Sequence, residues 1–202
     1  MSAGVAYLST AYKPGVAEFA DVLLRHDWQV YASNGTRREI LGAGVSDVKT
    51  PADLIGPGEL WGVPASQFDR ELQANIIADA IRIGRVGLVY VGLKAVESVR
   101  DKSPFDIDGA RRSLDQGGIS MLAAGAMARR VTLSQETQLA EASARLENGS
   151  LYEQSYLDDL ARVALAEITN YTETELKEFT TPDVRESLKK IPSPVPMVYI
   201  QP

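Results

Sequence analysis

Two periodicities of apolar and polar residues alternate along the chain. Residues 5–8 form a short apolar run, which predicts a buried strand. After Pro14, apolar residues recur at three- to four-residue spacing as far as Leu24, which predicts a helix with proline in its first turn. Residues 29–33 predict a second strand, and residues 37–41 predict a second helix that stops at Gly44. The chain therefore opens as strand, helix, strand, helix.

The stretch VGLVYVGL, within residues 85–93, is apolar at nearly every position. A strand of this kind is typical of a parallel sheet that is covered by helices on both faces. The remaining pattern predicts strands at 45–48 and 131–133, helices at 67–83, 107–114, 119–129, 135–147 and 153–180, and loops at 50–64 and 94–108. This alternation predicts a three-layer, doubly wound α/β fold with a parallel sheet. We expect one domain over residues 1–182 and an extended, proline-rich tail over 183–202.

Composition excludes several classes of function. A formal net charge of −6 argues against a nucleic-acid partner, which requires a basic face. No apolar run approaches the ~18–20 residues that a membrane span needs, and the start of the sequence lacks the basic region of a signal peptide. The absence of cysteine, with His26 as the single histidine, excludes disulfides, thiolate zinc sites and multi-histidine metal sites. We expect a cytoplasmic protein without a metal, whose His26 interacts with the dipole at the end of its helix.

Hydroxyl-bearing and glycine residues follow the first two predicted strands. Ser33, Asn34, Gly35 and Thr36 form a turn between a strand and a helix, and Ser9, Thr10 and Lys13 lie at the equivalent place after the first strand. Ligands of doubly wound folds bind outside the carboxyl ends of the strands. Backbone amides at a helix N-terminus, with a lysine beside them, would bind a phosphate. The alternative is that these turns only cap helices, as many such turns do.

Asp115 is followed by Gly117 and Gly118 at the start of a helix of small residues. An acid in front of a helix is a favourable N-cap, which is the structural interpretation. Two successive glycines are not needed for a cap, and they allow a ligand or another backbone to approach closely. The residues alone leave both interpretations open.

Three segments, in order, resemble a known family. LSTAYKPGVAEFA (8–20) is similar to the family's SVSDKTGIVEFA, ASNGT (32–36) to its STGGT, and LDQGGISMLAAGAMA (114–128) to its IDIGGxSMLRAAAKN. AEITNYTE (166–173) falls on the family's late helix, which ends like THTAxYD. The family is the IMP cyclohydrolase domain of the bifunctional purine enzyme PurH, and the resemblance covers about residues 4–180. It implies the methylglyoxal-synthase-like version of the α/β fold.

The sequence departs from the family at positions that handle protons. The family's RVKTLHPK stretch falls on residues 64–70, where its Arg, Lys, Thr and His are all replaced. The family's second active-site lysine falls on Met127, and the tyrosine of its Asn-Leu-Tyr-Pro segment falls on Lys94. Ser9, Lys13, the 33–36 turn and Asp115 are retained. The sequence ends near the point where the family's transformylase domain would begin.

The resemblance implies a divergent IMP-cyclohydrolase-like enzyme that acts on a ribonucleotide or an analogue, with no cofactor. Asp115 would accept a proton from the attacking nitrogen, and Ser66, Gln67, Lys94 and Arg70 are the nearest replacement donors to the formyl oxygen. Ser9, Lys13, Ser33, Asn34, Gly35 and Thr36 would hold the phosphate. Gly117, Gly118 and Arg70 would face the base.

Two other functions remain open at this point. The first is a non-catalytic ribotide sensor or partner subunit on the same fold, which would explain the replaced lysines. The second is a different reaction that uses Asp69, Arg70 and Lys94. The family is dimeric, which makes a homodimer an expectation here, although its dimer contacts lie largely in the second domain.

Overall fold

The computed structural model describes residues 3–55, 70–96 and 115–179. In these ranges, four parallel strands form one sheet in the order β2-β1-β3-β4. The strands are β1 (Gly4–Thr10), β2 (Trp28–Ala32), β3 (Leu88–Gly92) and β4 (Val131–Leu133). The central strand β1 pairs Tyr7 with Tyr31 on one side and with Val89 on the other. The predicted parallel α/β sheet is confirmed.

Helices connect and cover the strands. They are α1 (Val16–Arg25), α2 (Asn34–Gly42), α3 (Pro51–Ile55), α4 (Arg70–Arg82), α5 (Gln116–Met127), α6 (Gln138–Asn148) and α7 (Gln154–Phe179). Helix α1 begins after Gly15, whose left-handed backbone (φ 74°) turns the chain from β1 into the helix. It ends as predicted at His26, whose backbone N–H donates to the carbonyls of Val22 and Leu23 in the last turn of the helix.

The core lies on both faces of the sheet, because successive side chains of a strand point to opposite faces. Leu8 belongs to a buried cluster that includes Phe19 of α1. Tyr7 belongs to a second cluster, with Ile77 of α4 and Met121 of α5. Helix α7 reaches both clusters, since its first half packs in the first and its middle packs in the second. The two clusters give the three layers that the sequence predicted.

The predicted strand at 45–48 is wrong. One isolated bridge forms next to it, between Lys49 and Tyr31 of β2. The Lys49 N–H donates to the carbonyl of Val30, and the Lys49 carbonyl accepts the N–H of Ala32. Gly44 (φ 89°) and Asp47 (φ 69°) have left-handed backbones that interrupt an extended strand. Instead, the Arg37 side chain holds this segment by donating to the carbonyl of Val48 at 2.7 Å.

Other boundaries shift by a few residues. The predicted turn at 34–35 is the first turn of α2, and part of the predicted loop 50–64 is the short helix α3. The predicted helix at 107–114 and the tail at 183–202 lie outside the described residues, so the domain boundary at 182 stays a prediction. Within the described ranges, no helix combines the length and the apolar character that a membrane crossing requires.

Candidate functional site

Backbone hydrogen bonds join the loops that follow three strands at the carboxyl edge of the sheet. The Ala11 N–H, just after β1, donates to the carbonyl of Gly92 at the end of β3 (3.0 Å). The Ser33 N–H, just after β2, donates to the carbonyl of Leu8 in β1 (3.0 Å). The loop that contains Lys13 and the 33–36 turn are therefore brought together, at the edge where ligands of this fold class bind.

The hydroxyl of Thr36 is the centre of this cluster. Thr36 is completely buried, and its Oγ1 accepts the backbone N–H of Thr10 at 3.0 Å. Lys13 Nζ lies 3.1 Å from the same oxygen, and the Ser33 hydroxyl lies 3.0 Å from it. A hydroxyl oxygen has only two acceptor lone pairs. Three donors converge on this oxygen, which is one more than it can accept. Either Lys13 or Ser33 can therefore donate to a ligand while the other two donors keep their bonds to Thr36.

The N-terminus of α2 presents free backbone donors. The first helical bond runs from the Arg37 N–H to the carbonyl of Ser33, at 2.7 Å. The Ser33 side chain does not cap the helix. Within the described part of the chain, the N–H groups of Asn34, Gly35 and Thr36 meet no acceptor. Such a set of amides, at the positive end of the helix dipole, favours an anion.

Lys13 lies against this helix start. Its Nζ donates to the Thr10 carbonyl and would lie 3.9 Å from a Cβ placed on Gly35. Burial lowers the pKa of the Lys13 ammonium, and the more distant carboxylate of Glu39 raises it by a smaller amount. Among the described residues Lys13 forms no ion pair. The ammonium and the helix N-terminus are thus two positive groups that one bound anion would neutralise.

Ser9 projects from the other face of the sheet. Successive residues of a strand alternate in direction, and Thr10 is the one whose hydroxyl lies 3.5 Å from the buried Tyr90 and whose backbone meets Thr36. The role of Ser9 in phosphate binding stays a prediction. The sequence places Thr10 beside Ser9 and Lys13 after the first strand, and period-two alternation from the buried Ala6 and Leu8 puts its side chain on this face.

Asp115 is the N-cap of α5. Its Oδ1 accepts the backbone N–H of Gly118 at 3.1 Å, and its own N–H donates to the phenol oxygen of Tyr171 at 3.0 Å. Within the described ranges the second carboxylate oxygen has no partner. The structural interpretation of this acid as a cap is therefore correct, and one oxygen remains for other chemistry. Tyr171, which the sequence reasoning did not select, lies within the AEITNYTE segment.

Both glycines after Asp115 have close protein neighbours. A Cβ on Gly117 would lie 2.6 Å from the Cβ of Ala74 in α4. A Cβ on Gly118 would lie 2.7 Å from Leu93 and 2.9 Å from the carboxyl carbon of Asp115. Close packing of α5 on α4 and on the segment after β3 accounts for both glycines. The proposed contacts of Gly117 and Gly118 with a base stay predictions.

Lys94 lies two residues beyond the end of β3, where its half-buried side chain lines an open cleft of about 200 Å³. The opposite wall of the cleft is α7, including Tyr171. The phenol oxygen of Tyr171 accepts the backbone N–H of Asp115, so this tyrosine connects the cleft that contains Lys94 with the start of α5. The structure thus brings two of the predicted catalytic residues to neighbouring positions.

The remaining predicted residues divide into two groups. Ser66, Gln67 and Asp69 lie outside the described residues, and Arg70 opens α4 without a described side chain. Met127 is 81% exposed at the far end of α5, and a rise of 1.5 Å per residue places it about 18 Å from Asp115 along the helix. A side chain at position 127 is therefore out of reach of Asp115 in the same chain.

In the described ranges, no three acidic or histidine side chains cluster as metal ligands.

No family model matches the chain. The bifunctional purine biosynthesis protein PurH of Staphylococcus aureus strain USA300 is 26% identical to it over 187 residues, as is PurH of strain JH1. The chain is similar to PurH. The alignment covers 86% of this chain and 38% of PurH, so the chain spans well under half the length of these curated relatives.

A solved structure has a similar fold. The crystal structure of ForH superposes with a TM-score of 0.66 at 24% sequence identity, over 88% of this chain and 98% of ForH. This match shows a shared fold. The similarity to PurH agrees with the resemblance seen in the motifs, while the assignment to the first PurH domain stays a prediction.

Proposed function

We propose that this protein binds a purine ribonucleoside monophosphate, or a close analogue, and closes or opens its six-membered ring as an IMP-cyclohydrolase-like enzyme. The observation that carries the proposal is the unneutralised pair formed by Lys13 and the N-terminus of α2, at the sheet edge that also holds Asp115. The similarity to PurH, a purine biosynthesis protein, supports this class of ligand.

The phosphate half of the ligand would occupy the start of α2. The free amides of Asn34, Gly35 and Thr36 donate to its oxygens, and the Ser33 hydroxyl turns from Thr36 to the ligand. The Lys13 ammonium supplies a charge-assisted bond, since it is close to the Gly35 backbone and forms no ion pair among the described residues. Binding of the dianion relieves the repulsion between the ammonium and the helix dipole.

The reaction half would lie toward Asp115. In ring closure, the carboxamide nitrogen attacks the formyl carbon and a C–N bond forms. The attacking nitrogen gives up one of its two protons, the formamide nitrogen gives up its proton as its bond to the formyl carbon becomes C=N, and the formyl oxygen leaves as water. The oxygen of Asp115 that does not bond Gly118 accepts a proton from the attacking nitrogen. Among the residues that the structure describes, Lys94 is the one that would donate to the formyl oxygen. Anchoring the phosphate holds the two reacting groups in attack geometry, which lowers the barrier further.

The second candidate function is a ribotide sensor that binds the same ligand without turnover. The observation that favours it is the replacement of the family's lysine and tyrosine by Met127 and Lys94. The distance of about 18 Å between position 127 and Asp115 weakens this argument, because a lysine there would not reach Asp115 in the same chain.

Two measurements on the purified protein distinguish the candidates. Ring closure of the formylated aminoimidazole carboxamide ribotide is followed by ultraviolet absorbance, and a melting scan is recorded with and without IMP. Turnover above the buffer rate supports the enzyme. An IMP-induced stabilisation of about 2.7 kcal/mol at a hundredfold excess over the dissociation constant, without turnover, supports the sensor. No response in either measurement refutes both.

A further inference from the structure

The cleft between the segment after β3 and helix α7 has an apolar floor. Leu93, Val96 and Tyr171 form a small buried cluster there, with Val96 only 3% and Tyr171 only 7% exposed. The cleft volume of about 200 Å³ lies below the range of about 300–1,000 Å³ that is typical of pockets for whole small-molecule ligands. The cleft is therefore matched to one part of a nucleotide, such as its heterocycle.

The walls of the cleft carry polar groups. Lys94 lines one side, and Asn170 and Thr174 line the other, one helical turn apart on α7. The Thr174 hydroxyl donates to the Asn170 carbonyl at 2.8 Å, which leaves its oxygen free to accept. In the part of the chain that is described, the side chains of Lys94 and Asn170 have no bonding partner. A primary amide both donates and accepts, so Asn170 matches another amide.

The cleft adjoins the anion site at the start of α2. Lys94 follows Gly92, whose carbonyl accepts the N–H of Ala11, two residues before Lys13. Neighbouring parallel strands are about 4.8 Å apart, so the loops after β1 and β3 lie side by side. A ligand whose phosphate is at Lys13 can thus extend its other end across the sheet edge toward α7.

We propose that this cleft is the subsite for the heterocycle, and that Asn170 and Thr174 of α7 select ligands that carry a carboxamide or a ring lactam. The inference rests on the proposed function, because it assumes that the phosphate occupies the start of α2. Asn170 pairs with the C=O and N–H edge of the lactam, while Lys94 faces the formyl oxygen of the substrate. Helix α7, which none of the retained binding motifs includes, thereby determines specificity.

The test measures the affinity of the full chain for three probes by calorimetry. IMP carries a lactam, purine riboside monophosphate lacks its oxygen, and ribose 5-phosphate lacks the heterocycle. Asn170→Leu keeps the size of the side chain and removes its amide, and Thr174→Val removes the hydroxyl. Thr172→Val is the matched control, because Thr172 makes the same 2.8 Å bond to the helix backbone but is exposed outside the cleft.

We expect Asn170→Leu to weaken IMP binding about tenfold and to abolish the preference for IMP over purine riboside monophosphate. Ribose 5-phosphate binding should be unchanged, and Thr172→Val should leave all three affinities unchanged. If wild type binds IMP but Asn170→Leu and Thr174→Val bind it equally well, the subsite is refuted and the proposed function stands. If wild type binds neither IMP nor ribose 5-phosphate, both are refuted.

Discussion

The phenol oxygen of Tyr171 accepts the backbone N–H of Asp115 at 3.0 Å, across 56 residues of sequence. The bond fixes the start of α5 against the second half of α7. Tyr171 is buried, and the Asp115 carboxylate is held in turn by Gly118, so the acid has two constraints on its orientation. Tyr171 is thus a positioning residue for the side chain that we propose to move the proton.

Tyr171→Phe should misplace Asp115 without removing it. The loss of the acceptor leaves a partly buried N–H unpaired, which costs about 1–3 kcal/mol, and each kcal/mol lowers Tm by about 2–4 °C. We expect kcat for ring closure to fall while the affinity for ribose 5-phosphate stays constant. Tyr152→Phe, at a tyrosine that is 57% exposed, should leave both within error. Equal effects on kcat and on phosphate affinity would refute the positioning role.

The affinity for a phosphate ligand should depend on pH through Lys13. Burial lowers the pKa of this lysine in the free protein, and a bound phosphate raises it. The protonated form therefore binds more tightly, so the affinity is highest below the pKa of the free protein and falls as the pH rises through it. The decline should begin below the ordinary lysine range near pH 10.4. Calorimetry with IMP from neutral pH to about pH 10 measures it.

Substitutions at position 13 separate charge from titration. Lys13→Met should weaken IMP binding by about ten- to hundredfold and remove the alkaline decline. Lys13→Arg keeps the charge across this range and should flatten the decline while retaining much of the affinity. An unchanged pH profile in Lys13→Met would show that another group causes it.

Gly118→Ala should lower both stability and activity. The new Cβ would lie 2.7 Å from Leu93 and 2.9 Å from the Asp115 carboxyl carbon, so the capping carboxylate must move. Overpacking of this kind costs about 1–3 kcal/mol. Gly42→Ala is the control, because a Cβ added there meets no neighbouring atom within 4 Å. Alanine is also more favourable than glycine in a helix, by up to about 1 kcal/mol. The free energies of unfolding come from urea titration, and a tolerated Gly118→Ala would contradict the close packing.

The sequence predicted the layers of the fold because its periodicity reports burial directly. The run at β3 is apolar on both faces, and it is a central strand for that reason. The failure at 45–48 has a local cause, since the positive φ angle of Asp47 is a backbone feature that an apolar pattern does not contain. The start of α2 differs from the prediction because the backbone N–H of Ser33, at its N-cap position, is held by the carbonyl of Leu8 in another strand.

The site was predictable where its residues directly follow the ends of parallel strands. Lys13 and Thr36 were found because each follows a strand, and parallel strands bring such loops together. Tyr171 was missed as a site residue because its role comes from a contact across 56 residues, which no local pattern encodes. Gly117 and Gly118 signalled close approach correctly, but the sequence could not say that the partners are Ala74 and Leu93.

The most direct test of the account is the initial rate of ring closure of the formylated aminoimidazole carboxamide ribotide by the wild-type protein and by Asp115→Asn. The amide retains an oxygen that accepts the Gly118 N–H, but it cannot take up the proton of the attacking nitrogen. We expect turnover by wild type above the buffer rate, and a loss of about 10²–10⁴-fold in Asp115→Asn. A variant within a few fold of wild type, or a wild type without turnover, would contradict it.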